Sequence, residues 1–213
     1  MESSVLRVDD SKPFTPGQIS LPDQISEDSG SGPAAMNLQP QILDSIRSAA
    51  TNVFSTMLGM ELGTGEASLE QNTSEANDGV VAFVGVTGEW EGTGMVVCSS
   101  DLACRICNQM LMTENSEINE EVLDSFAELA NMIVGSVKND LEGQTGPLGL
   151  GIPTVAFGRK FWTKSVGATG WVVVRFPWEG EILVVKIALA PNKEHVDGRI
   201  RDHETRVETH VLE

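Results

Sequence analysis

Residues 116–141 form an uninterrupted run of about seven helical turns, with no proline and a single glycine, Gly135. At about 100° per residue, with Phe126 set at zero, Val122, Leu129, Ala130, Ile133, Val137 and Leu141 all fall within about 60°, and Ile118 lies at about 80°. A stripe this long must be buried against another layer, so the segment is expected to lie on a sheet or on other helices. Asp124, Glu128, Asn131 and Gly135 lie between about 140° and 200° on the same wheel, spaced i, i+4, i+7 and i+11. They form a second stripe, opposite the first, whose members are surface neighbours. Ser116, followed by Asn119 and Glu120, is the expected start of the helix, and Gly143 with Pro147 its expected stop.

The rest of the body supplies the layer on which this helix rests. Leu38, Ile42, Ile46, Ala49, Val53 and Met57 recur every three or four positions and predict a first amphipathic helix ending near Gly59. Strand patterns follow over 65–71, 79–87 and 93–98, with a turn over 88–92. Ser99 and Ser100 offer caps for a shorter helix over 101–112. Beyond the long helix come β segments over 154–157, 168–176 and 181–189, the last two joined by a hairpin at Pro177-Trp178-Glu179-Gly180. Hairpin-linked strands imply an antiparallel sheet. The expected class is therefore α+β: a sheet of about six strands with two long helices and one shorter helix packed on it. Residues 1–36, rich in Ser, Pro, Gly and acidic side chains, read as a disordered arm, 37–190 as the folded domain and 191–213 as a polar tail.

Charge narrows the function. A net charge of −17 disfavours nucleic acid and anionic membrane surfaces as partners. The start, MESSVLRVDD, has neither a basic nor an apolar stretch, and no apolar run approaches the ~20 residues needed to span a bilayer. Three cysteines, Cys98, Cys104 and Cys107, suit a reducing compartment, so a cytoplasmic protein is expected. Cys104-x-x-Cys107 falls inside a helix rather than at its start and reads as core. His195, His203 and His210 lie in the tail at spacings that match no metal motif. The run 146–151, GPLGLG, lacks the Lys and Ser/Thr of a phosphate loop and reads as a plain loop. Trp162, Trp171 and Trp178 are expected to anchor the core or the hairpin.

The outer stripe of the long helix admits two readings: a solvated face, or a working surface. Asn and Gly are both poor choices for an exposed helix interior, and Gly costs about 1 kcal/mol there relative to Ala. A glycine also leaves room for another surface to come close. The stripe has no His, Cys or Lys, so covalent catalysis is disfavoured. Its two carboxylates and one amide would hold a metal only weakly. An amide can, however, orient a water by donating and accepting at once, and phosphoryl transfer depends mainly on such positioning.

The run Asp124-Ser125-Phe126-Ala127-Glu128-Leu129-Ala130-Asn131-Met132-Ile133-Val134-Gly135 resembles the signature of the CheC/CheX/FliY chemotaxis phosphatase family, in which Asp or Ser is followed by Glu, then Asn, then a downstream Pro. Pro153 stands one residue short of the usual place. Val53-Phe54-Ser55-Thr56-Met57-Leu58 is similar to the CheX start, and the likeness extends over about residues 37–190. The resemblance implies an enzyme, a phosphatase (hydrolase) acting on the phosphoaspartate of a CheY-like response regulator in chemotaxis or related two-component signalling. It assigns the catalytic roles to Glu128 and Asn131, and leaves Asp124 and Gly135 to support the site or touch the partner. It implies no cofactor of the chain's own; Mg²⁺ belongs to the partner regulator. The first helix carries Asp44, Ser48 and Thr51 in the equivalent places but neither the Glu nor the Asn, so a single, CheX-like site is implied, and with it a homodimer. The alternative is a CheX-like module that docks a regulator or a motility complex without catalysis.

Overall fold

The computed structural model describes residues 38–71, 75–163 and 170–192. The expected arm (1–36), nearly all of the tail (191–213) and the three histidines lie outside these residues, as does the side chain of Trp162. Among the described residues three helices, α1 (Gln39–Met57), α2 (Ser100–Leu111) and α3 (Glu120–Thr145), combine with seven strands. The strands are β1 (Glu66–Glu70), β2 (Glu75–Gly88), β3 (Trp90–Cys98), β4 (Leu148–Leu150), β5 (Thr154–Thr163), β6 (Trp171–Trp178) and β7 (Glu181–Pro191). The sheet runs β1-β6-β7-β3-β2-β4, with β5 also paired to β2, and every pairing is antiparallel. This is the α+β class that the sequence predicts, with one strand more than the expected six.

Strand alternation sorts the side chains onto two faces. Val80, Ala82, Val84, Val86, Val96, Val172, Val174, Val185 and Ile187 form the main core with the helices. Their neighbours Val81, Met95, Trp171, Val173 and Ala188 form a second, smaller cluster with Phe83, Val97, Phe161 and Val184. Trp178 and Glu181 pair across the β6–β7 turn. Glu179 and Gly180 both have positive φ (45° and 85°), as a two-residue hairpin turn requires.

The ends of α3 differ from expectation at both termini. Its cap is Asn119, whose side chain accepts the Val122 N–H at 2.9 Å, and not Ser116. The preceding loop is tied down by Asn108, which accepts the Asn115 N–H at 2.6 Å and donates to the Asn115 carbonyl at 2.9 Å, so the helix cannot begin until this knot is passed. At the other end Gly143 is helical, and the chain turns only at Gly146, with φ of 78°. Past that turn the segment 148–150, expected to be loop, is β4. Glu142 accepts the Leu148 N–H at 3.0 Å and ion-pairs with Lys138 at 2.7 Å. Lys138, with Leu148 after it, holds this carboxyl below its ordinary range.

α3 lies close on the sheet at one place. A Cβ on Gly94 of β3 would stand 2.5 Å from Val134 Cγ2, nearer than side chains tolerate. Gly94→Ala should therefore lower the urea midpoint with unchanged slope, corresponding to about 1–3 kcal/mol.

The edge strand β1 is held electrostatically. Glu70 accepts from Arg175 at 2.5 Å and lies 3.4 Å from Lys186 Nζ. Burial would raise the Glu70 carboxyl, but Arg175 and Lys186 outweigh it and hold it below the usual value. A lowered folded-state pKa contributes stability that is present above the unfolded value and lost as pH falls through the folded one. Acid titration of stability should show this component in the wild-type chain and lose it in Glu70→Gln.

Candidate functional site

α3 presents its two stripes as the wheel requires. Val122, Phe126, Leu129, Ala130, Ile133, Val137 and Leu141 are all buried. On the opposite side Asp124 and Glu128 are exposed, and Asn131 and Gly135 half-buried. Glu128 and Asn131 are three residues apart, about 4.5 Å along the axis, and so project together. Among the described residues, no hydrogen-bond or ion-pair partner engages the side chains of Asp124, Glu128 or Asn131. Ser125, between them, turns inward, where its hydroxyl donates to Cys107 Sγ at 3.4 Å.

Gly135 adjoins the chain's own β4. Leu150 Cδ1 stands 3.3 Å from the position that a Gly135 Cβ would take. The room left by this glycine is thus bounded by the chain's own β4, and the polar stripe ends at an apolar step. Pro153 lies between β4 and β5, half-buried. The step, Leu150 (36% exposed), and Ile152 two residues on (92% exposed) escape a sequence reading because GPLGLG carries no strand period and Ile152 lies outside any pattern.

The other sequence candidates do not join this site. Cys98, Cys104 and Cys107 are free and buried. Burial, with Glu181 behind it, pushes the Cys98 thiol well above its ordinary value, and burial with Asp101 raises Cys104. Neither is an activated thiolate. No group of three His, Cys, Asp or Glu among the described residues is placed to hold a metal. Trp171 is buried in the second cluster, and Trp178 lies under Arg105, 3.9 Å from ring centroid to guanidinium carbon.

Chemically, the face offers a carboxylate that accepts and an amide that both donates and accepts. Such a pair can position groups brought by another molecule.

The family model described as "Chemotaxis phosphatase CheX" matches residues 80–176, which span β2 to β6 and include all of α3. A CheC-like superfamily protein from Shewanella sp. PV-4 superposes with a TM-score of 0.63 at 25% identity, covering 73% of this chain and 99% of its own. The chain is CheX-like: residues 80–176 match the CheX family, and the fold is that of a CheC-like protein. The chemotaxis protein CheX from Desulfovibrio desulfuricans shares the fold at TM-score 0.63 and 24% identity, over 70% of this chain and 99% of that one. The CheX of a Borrelia burgdorferi CheX–CheY–BeF₃–Mg²⁺ complex does so at TM-score 0.57 and 20% identity, over 70% and 97%. No curated protein matches the chain in sequence. No described helix of this CheX-like chain is long and apolar enough to cross a membrane.

Because Glu128 and Asn131 have no structural partners, truncating them should not weaken the fold. Glu128→Ala is expected to change stability by less than about 0.5 kcal/mol, and Asn131→Ala to raise it by a few tenths, Ala being the better helix former. Urea titrations of both variants check this.

Proposed function

We propose that this CheX-like chain is a cytoplasmic phosphatase that hydrolyses the phosphoaspartate of a CheY-like response regulator, with Glu128 and Asn131 as its catalytic pair. The observation that carries the reading is the outward, unpartnered Glu128–Asn131 pair on a helix whose opposite face is locked in the core. The family description and the Borrelia CheX solved in complex with CheY support the choice of partner.

In this scheme the regulator brings the phosphorylated aspartate and the Mg²⁺, and the chain brings geometry. The Asn131 carboxamide oxygen accepts a hydrogen bond from a water and aims its lone pair at phosphorus, in line with the bond to the aspartyl oxygen. That bond breaks, the aspartate leaves as carboxylate, and inorganic phosphate is released. The gain comes from holding the water in the attacking position. Glu128 pairs with a lysine of the regulator and seats the complex, and Asp124, one turn earlier on the same exposed side, supports it. A homodimer presenting two such faces is the assembly we propose.

Purified chain should speed phosphate release from a matched phosphorylated regulator. Asn131→Ala and Glu128→Ala should each slow it by about 100-fold or more with the fold intact. Wild-type rates in both variants would remove the site assignment. A wild-type chain that binds the regulator without shortening its phosphate lifetime would instead leave the non-catalytic docking module.

A further inference from the structure

β4 and β5 run along the same side of β2, one after the other, with Leu150 opposite Val86 and Thr154 opposite Phe83. Three residues, Gly151, Ile152 and Pro153, therefore stand opposite two, Val84 and Gly85. One extra residue in a ladder is a bulge, which bends the strand and re-aims a side chain. The Gly151 N–H still reaches the Gly85 carbonyl, at 2.8 Å, so the excess falls on the next two residues. Pro153 has no N–H to give to a ladder, which suits it to such a place. Ile152 is left 92% exposed.

A lone exposed apolar side chain usually means nothing. Two features set Ile152 apart. It is stiff: a β-branched side chain restricted at χ1, held before a proline that restricts its backbone and after a hydrogen-bonded Gly151. An anchor held in this way loses little entropy on binding. It also adjoins the site. Leu150, two residues earlier and within about 7 Å along the chain, lies against Gly135, one helical turn beyond Asn131. The surface thus passes from exposed Glu120, Glu121, Asp124 and Glu128 through Asn131 to Leu150 and Ile152.

We infer that Ile152, carried outward by the β4–β5 bulge, is the apolar anchor by which this site engages its phosphorylated response regulator, seated in a hydrophobic hollow beside the phosphoaspartate pocket. The inference rests on the function proposed above and names the chemistry of the partner. The partner presents basic groups toward the acidic first turns of α3 and an apolar hollow toward the bulge, since charge complementarity on one side and apolar burial on the other fix a single docking orientation.

The test is steady-state dephosphorylation of a phosphorylated CheY-like regulator, together with binding of the same regulator loaded with beryllium fluoride. Ile152→Asp should raise KM and Kd about tenfold or more with kcat unchanged. Ile152→Ser should raise both less, and Ile152→Leu should keep near-wild-type values. Ile182→Asp, an equally drastic change at an exposed position in the β6–β7 hairpin, should leave both values alone. Wild-type KM and Kd in Ile152→Asp overturn the inference while leaving the phosphatase reading in place, as does an equal rise in Ile182→Asp. A chain that binds but does not hydrolyse, and whose binding weakens in Ile152→Asp, removes the phosphatase reading and sustains this one. A wild-type chain that neither binds nor hydrolyses any regulator of a broad panel overturns both.

Discussion

Val134 of α3 rests on the bare backbone of Gly94, where a single added methyl group would stand 2.5 Å from it. This contact lies midway between Asn131 and Val137, and it allows the helix to sit low on β3. Phe126, Leu129, Ile133 and Leu141, on the same side of the helix, are shut off from solvent. Burying each of these side chains is worth roughly 1.5–3 kcal/mol, so rotating the helix by even one residue position would expose several of them together. The orientation of Glu128 and Asn131 is thus set by the energy of the opposite face. The polar stripe spends nothing on holding itself in place, and its side chains remain available to another molecule.

On the proposed function, electrostatics explains why such a face would need a partner that brings its own cations. The chain carries a net charge of −17, and the first turns of α3 add Glu120, Glu121, Asp124 and Glu128 in succession on exposed positions. A phosphoryl group approaching alone would be repelled. A regulator that surrounds its phosphoaspartate with a metal ion and a lysine reverses the sign of that encounter, because the same carboxylates then attract the rim of the pocket. An acidic surface with an amide at its centre is consistent with phosphate chemistry only where the phosphate is already embedded in another protein.

How much of this was legible in the sequence depends on how far each element obeys a local period. α3 was legible because its apolar residues keep the 3.6 period for six turns, and the same wheel separated Glu128 and Asn131 from the core. The β6–β7 hairpin was legible because Glu179 and Gly180 are adjacent residues placed where a two-residue turn needs positive φ. The cap at Asn119 was missed by three residues, because Asn108 of α2 and Asn115 of the loop after it decide where the helix can start. Gly143 looked like a stop, but an exposed glycine costs a long helix only about 1 kcal/mol, and buried Leu141 before it and Thr145 beyond it anchor the helix on both sides. β4 was invisible because three residues carry no period. Its existence comes from pairing with the end of β2, a tertiary fact.

That short strand also joins the two halves of the site into one body. Glu142, in the last turn of α3, accepts the N–H of Leu148, the first residue of β4, and Lys138 one turn earlier holds the same carboxylate. Leu148, Gly149 and Leu150 pair with Gly88, Thr87 and Val86, Gly151 bonds to Gly85, and Leu150 closes back onto the helix at Gly135. The path from Asn131 to Ile152 can therefore be traced through hydrogen bonds and packed contacts without crossing a free loop. Two features linked in this way cannot adjust independently to an incoming surface. In the proposed complex, a regulator whose apolar hollow and phosphoaspartate are differently spaced would have to leave one of them unfilled, so the rigidity that would pre-organise the amide would also make the spacing between bulge and stripe a criterion for choosing among regulators.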